Sequence, residues 1–219
     1  VSPQERWDAF LAKIKTRSDE ILAEAVEGSA QFLDQPEVDQ NALGRIWTVI
    51  RHRMSDLRGK IEDTWGGSVM DLFEGAAQDR ARKQGQDLDA ALEIDFERAE
   101  ARAWADVGRW IAKRAAEMRV TDAKCMHCGS PHSVVGVRFT YEWTCASCKA
   151  TATFQPSTFE YQLEGAAAYI AKDRAFDVEL AAKRDRGQRR AYWQLYLATM
   201  AELLPERAAT IEADVATKL

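Results

Sequence analysis

Cys125-Met126-His127-Cys128 and, sixteen residues later, Cys145-Ala146-Ser147-Cys148 carry all four cysteines of the 219-residue chain. A C-x-x-C turn lets two thiolates meet one ion, and two such turns complete a tetrahedron. The residues between them must then run out and back. Soft thiolates suit zinc, and four of them leave no position open for water or substrate, which is the pattern of a structural site. The alternatives are two disulfides or four unrelated thiols. Disulfides belong to secreted chains, and nothing else here has secreted character. An iron site of the rubredoxin type uses similar thiolates.

With Gly129 directly after Cys128, the stretch from Cys125 to Pro156 resembles a zinc ribbon, in which two C-P-x-C-G knuckles flank a hairpin. Gly129 can adopt the left-handed backbone that a knuckle requires. Lys149 stands where the second glycine is usual, and neither knuckle has its proline. The resemblance implies one zinc held by Cys125, Cys128, Cys145 and Cys148. Zinc ribbons serve in many assemblies, so the likeness specifies a metal rather than an activity.

The chain is 46% hydrophobic and has a net charge of -5. That is enough apolar material for a sizeable core, and too acidic for a protein that coats nucleic acid indiscriminately. No apolar run approaches the ~20 residues needed to span a bilayer. Val1-Ser2-Pro3 begins a polar helix rather than a secretory leader, so a cytoplasmic location is expected.

The rest of the chain reads as helix. Ser2, Pro3 and Glu5 form a cap and capping box ahead of Trp7, Phe10, Leu11, Ile14, Ile21, Leu22, Ala25 and Val26 at helical spacing. A second helix is expected over 36–61, with Leu43, Ile46, Trp47, Ile50, Met54, Leu57 and Ile61 as its apolar stripe. A break is expected at 64–68, where Gly66 and Gly67 adjoin, with Ser68 capping a short piece after it. A third helix is expected over 76–119, about 60 Å long if unbroken. Its seam runs from Leu88 through Phe96 and Trp110 to Met118, with Gly85 a candidate interruption. Within the insert, strands are expected near 133–135, 141–144 and 150–154, with a turn at Gly136–Arg138. A helix resumes from Ser157 and ends near Gly187, a further helix has Trp193, Tyr196, Leu197, Met200 and Leu203 as its apolar positions, and Pro205 begins a short terminal helix. The expected architecture is mainly α: an elongated antiparallel helical bundle with an inserted small β zinc ribbon. It divides into a helical region over 1–120, the insert over 121–156, and C-terminal helices over 157–219 packing back on the first region.

Because a metal-tied insert returns the chain to its point of entry, the helices on either side should be antiparallel neighbours. On that register Lys183, Arg184, Arg186, Arg189 and Arg190 would face Asp87, Asp89 and Glu93. Arg98, Arg102, Arg109 and Lys113 form a second basic stripe, near Trp104 and Trp110. Arginines beside aromatic rings can hold phosphates and stack on bases. The plainer reading has the tryptophans in the core and the arginine stems covering apolar surface. Phe139, Tyr141 and Trp143 are expected on the underside of the ribbon, packed on the helices.

No phosphate-binding loop, dinucleotide fingerprint or nucleophile elbow occurs. The carboxylates Glu93, Glu97, Glu100, Glu160 and Glu164 lack the E-x-x-H pairs of a di-iron bundle, and His127 is expected to be exposed rather than a ligand. An enzyme is therefore the least supported class, with no catalytic residue to name. The expected function is a zinc-binding helical interaction or structural subunit of a macromolecular assembly, with a protein partner. The alternative is a nucleic-acid-binding or ribonucleoprotein subunit using the two basic stripes.

Overall fold

Ser2 starts the first helix as the residues predict: its hydroxyl accepts from Glu5 N at 3.2 Å, and Ser2 N donates to the Glu5 carboxylate at 2.6 Å. This closed pair satisfies two backbone donors that a helix start leaves open. The computed structural model describes residues 1–119, 122–134, 140–211 and 213. The fold is mainly α, with a small β insert. Its elements are α1 (Pro3–Leu33), α2 (Gln40–Thr64), α3 (Gly75–Glu117), β1 (Asp122–Lys124), β2 (Pro131–Ser133), β3 (Tyr141–Thr144), β4 (Thr151–Phe154), α4 (Thr158–Arg184) and α5 (Arg189–Leu203). Among the described residues no helix is long and apolar enough to cross a membrane.

The chain forms two compact units, Val1–Ala103 and Trp104–Leu219, so the division falls within α3. The first unit is a three-helix bundle. Trp7, Leu11, Ile14 and Ile21 of α1 are buried, as are Leu43, Trp47, Ile50, Met54, Leu57 and Ile61 of α2 and Leu92 and Phe96 of α3. Polar groups fix the register inside this core. Trp47 Nε1 donates to Ser29 Oγ at 3.1 Å, and Ser29 Oγ donates onward to the Ala25 carbonyl at 2.7 Å. Trp7 Nε1 donates to the Ala81 carbonyl at 2.9 Å. Arg58 of α2 grips Asp89 of α3 through two bonds of 2.7 and 2.9 Å and reaches Glu93 at 3.1 Å.

Several expectations are corrected here. Gly85 does not interrupt α3. A Cβ at that position would lie 2.9 Å from Trp7 Cζ2 and 3.2 Å from Ile61 Cγ2, so the glycine makes room for close helix packing. The predicted break after Thr64 is a single π turn, Trp65–Val69, followed by a 3-10 turn, Met70–Leu72. Ser68 caps nothing there, because its hydroxyl donates back to the Thr64 carbonyl at 3.1 Å. Val26 and Met118, placed on apolar seams by their spacing, are 50% and 51% exposed. Within the first unit Asp89 and Glu93 are engaged by Arg58, and Asp87 pairs with Lys83 at 2.7 Å.

In the second unit the end of α3 runs antiparallel to α4. Trp104 meets Tyr169, Gly108 meets Ala166, and Trp110 meets Phe159. Ser157 caps α4 through a second capping box, with Glu160 N donating to Ser157 Oγ at 3.3 Å and Ser157 N to the Glu160 carboxylate at 2.8 Å. This explains why Glu160 is a buried charge. Ala167 and Ala171 of α4 then form a core with Leu197 and Met200 of α5 and with Leu204 and Ile211 beyond it.

The insert is built differently from the expected hairpin. β1 pairs antiparallel with β2, Asp122 opposite Ser133 and Lys124 opposite Pro131. β3 pairs antiparallel with β4, Tyr141 opposite Phe154 and Thr144 opposite Thr151. Each C-x-x-C is therefore the turn of its own small hairpin. β1, which precedes the first knuckle, was absent from the sequence reading because three residues carry no recognisable alternation. Val135 and the expected turn at Gly136–Arg138, together with Phe139, lie outside the described residues.

Candidate metal centre

Each knuckle owes its shape to two backbone bonds repeated in register. Cys125 N donates to the Ser130 carbonyl at 2.9 Å and Gly129 N to the Cys125 carbonyl at 2.8 Å. In the second knuckle Cys145 N donates to the Ala150 carbonyl at 2.9 Å and Lys149 N to the Cys145 carbonyl at 3.0 Å. Both turns need one residue in the left-handed region, filled by Gly129 at φ 73° and by Lys149 at φ 63°. A side chain in that region costs roughly 1–2 kcal/mol. Lys149 recovers part of this cost through its ammonium, which donates to the Ala146 carbonyl at 2.9 Å.

The two turns bring the four sulfurs of Cys125, Cys128, Cys145 and Cys148 to within 4.8 Å of one another. Two of the separations, Cys125 to Cys148 and Cys128 to Cys145, are 3.6 Å. A tetrahedron with metal–sulfur bonds of ~2.3 Å has edges of ~3.8 Å, so the set matches one ion at its centre. All four thiols are free, which removes the disulfide alternative. Four sulfurs close the coordination sphere, so such an ion would have no position at which to activate water.

The surroundings complete the site. Cys125 and Cys145 are 2% and 1% exposed, while Cys128 and Cys148 reach the surface. The buried pair belongs to a miniature core with Val134, Trp143 and Phe154. Trp143 packs within this core, and His132 stacks on its ring at 4.0 Å and 6°. His132 Nε2 and Tyr141 Oη are 2.7 Å apart. The role of the aromatic residues Tyr141 and Trp143 is thus to build the ribbon's own interior, in place of the expected packing on the helices. Ser130 Oγ lies 3.3 Å from Cys128 Sγ and donates to Ser147 Oγ at 2.9 Å, joining the two knuckles. Hydrogen bonding by Ser130, side chain first and backbone second, draws the Cys128 thiol down to about 6, which favours the thiolate that a metal needs. His127 is exposed. The ribbon is tied to α4 by Tyr161, whose phenol oxygen accepts from Thr140 N at 3.1 Å and also meets the Thr140 hydroxyl.

The proposed phosphate contacts are more scattered. Arg98, Arg102, Arg109 and Lys113 lie along α3 and are exposed. Arg109 bonds Asp106 at 2.6 Å and sits 3.6 Å from Asp173. The rings expected beside this stripe are occupied: Trp104 lies against Tyr169 at 5.0 Å, and Trp110 meets Phe159 edge-on at 5.4 Å with the Arg114 guanidinium over it. Arg184, Arg189 and Arg190 are exposed around the α4–α5 junction, and the side chain of Arg186 lies outside the described residues. The seryl bridge between the knuckles and the His132–Trp143 stack were not found by sequence reasoning. The bridge's only signal was Ser130 two positions after Cys128 and Ser147 just before Cys148.

Comparison of the chain with protein-family models, with curated proteins and with solved structures finds no match.

Proposed function

We propose that the protein is a zinc-binding helical subunit of a macromolecular assembly, in which one structural zinc, held by Cys125, Cys128, Cys145 and Cys148, organises a ribbon between helical regions that engage a protein partner. The observation that carries this reading is the convergence of the four sulfurs at tetrahedral spacing, two buried and two at the surface. Such a centre has no catalytic vacancy, which supports a part that shapes and presents surface over one that performs chemistry. Zinc is favoured over iron by its prevalence in closed four-thiolate structural sites; a red protein with visible charge-transfer bands would identify iron. Met126, 93% exposed at the tip of the first knuckle, offers a partner an apolar contact on a rigid turn. The nucleic-acid alternative has less to support it, since Trp104 and Trp110 are packed and Arg109 is engaged by carboxylates.

The test has two parts. Metal analysis of freshly purified protein should give about one zinc per chain, as a single four-thiolate site requires; a value far below this refutes the centre. Purification from the native source should bring down a defined protein partner with the wild type and lose it with Cys125→Ser. Retention of the same partner by the metal-free variant would show that the ribbon does not present the interface. Recovery of RNA or DNA that dissociates steeply as salt rises would favour the alternative.

A further inference from the structure

The second helix carries more apolar surface than its own bundle uses. Leu43, Trp47, Ile50 and Met54 are buried in the three-helix core. A second row, Ala42, Ile46 and Val49, follows the same helical period on one flank of that stripe, and Val49 is 58% exposed. With Arg45 and Ile50 this row lines a groove of about 370 Å³. Solvent-facing positions of an amphipathic helix are ordinarily polar, and β-branched residues such as Ile46 and Val49 lower helix propensity. The stability of α2 alone therefore gives no reason for this row.

One contact fixes what lies beside the groove. Glu24 of α1 meets Arg53 of α2 at 3.3 Å. Arg53 is one turn beyond Val49 on the same face, and Gly28 is one turn beyond Glu24. The two helices are antiparallel, with Trp47 bonded to Ser29 and Ser18 to Met54, so Gly28 comes level with Val49. A Cβ on Gly28 would meet nothing within 4 Å. Glycine inside a helix is destabilising relative to alanine, and no described neighbour requires it here. A glycine level with an exposed valine leaves room for another helix backbone to lie close against α1.

The charge of this flank selects the occupant. Between Asp19 and Asp39 the chain has seven carboxylates and no Lys or Arg. Lys15, Arg17, Arg53 and Arg45 approach Asp19, Glu20, Glu24 and Asp39, and Glu27, Asp34 and Glu37 add exposed negative charge beyond those pairs. A second copy of the chain would set two acidic segments against each other, and a polyanion would be repelled. We propose, resting on the reading of the protein as an interaction subunit, that this groove docks a basic amphipathic helix of a partner protein. The partner's apolar residues, at i, i+3, i+4 and i+7, pack on Ile46 and Val49, its backbone passes close to Gly28, and its flanking Lys and Arg lie along the acidic half of α1.

The probe is a fluorescein-labelled peptide of about 18 residues, roughly five helical turns, with leucines at that spacing and lysines elsewhere. The control peptide has the same leucines with glutamates in place of the lysines. The full chain with its metal should bind the lysine peptide saturably, one per chain, at least about ten-fold more tightly than the control, with affinity falling as salt rises. Val49→Asp and Gly28→Leu should each weaken binding by about ten-fold or more, with the helical circular dichroism retained because both positions are open. Gly28→Ala should raise the thermal midpoint of the free protein yet weaken the peptide, a combination that a purely structural glycine does not give. No saturable binding, equal affinity for the two peptides, or binding untouched by both Val49→Asp and Gly28→Leu would each overturn the assignment. Self-association that Val49→Asp abolishes would overturn it in favour of a second copy. In purification from the native source, a partner kept by Val49→Asp but lost with Cys125→Ser would overturn the groove and leave the subunit reading standing. Absence of any partner with the wild type would remove the subunit reading, while the peptide titration still decides the groove.

Discussion

At the scale of single residues, glycines and their replacements separate into three kinds. Gly108 is pressed against α4: a Cβ there would stand 2.5 Å from the Ala166 carbonyl oxygen, a backbone atom that cannot swing aside. Gly108→Ala should therefore destabilise the protein by about 2–3 kcal/mol, as overpacking typically does, seen as a lower urea midpoint. Gly165, one position from that contact, has nothing within 4 Å of its own Cβ site. Gly165→Ala should stabilise by ~0.5–1 kcal/mol through helix propensity alone. Lys149 is the third kind, an L-residue at φ 63° in a turn whose counterpart is Gly129. Lys149→Gly should relieve about 1 kcal/mol of backbone strain and tighten metal retention roughly five-fold against a chromogenic chelator. Equal or weaker retention would mean that the Lys149–Ala146 bond outweighs the strain.

At the scale of elements, the ribbon has more to gain from an ion held by its four cysteines than the helices do. Its strands are three or four residues long, and its core contains only a few side chains around Cys125 and Cys145. Hairpins of that size are not stable alone. Cys125→Ser or Cys145→Ser should release the metal and abolish the near-ultraviolet signal of Trp143, while the far-ultraviolet helical signal persists. If that signal collapses as well, the helices of the second unit require the insert to fold. The capping box at Ser2 was legible because a hydroxyl residue with Glu three positions on is a local code; the same code stands at Ser157 and Glu160, where the sequence reading named only a resumed helix. The strand pairing was not, because a short strand is specified by its partner, and the partner of each strand turned out to lie across its own knuckle.

At the scale of the molecule, two compact units each have an independent set of contacts. The first has Trp47 against Phe96 and Arg58 bridging to Asp89 and Glu93. The second has Trp104 on Tyr169 and the Ala171–Leu197–Leu204 core. A fragment of residues 1–103 should accordingly unfold cooperatively with a midpoint independent of zinc chelation. A fragment that is molten or unfolded would show that the second unit supplies part of its stability.

The residues alone determined the pairing of the four cysteines into one cluster, the helical class and the location of most helix ends, because cysteine spacing, the capping box at Ser2 and 3.6-residue periodicity act over one or two turns. They also placed the antiparallel reversal about the insert, since a metal that joins residues 125 and 148 returns the chain to its entry point. Only the tertiary structure decided what Gly85 and Gly108 are for, which seam residues face solvent, and where Asp89 and Glu93 find their charge. Those outcomes depend on which neighbour comes within a few ångströms, and a pattern along one helix contains no record of the helix that will lie beside it.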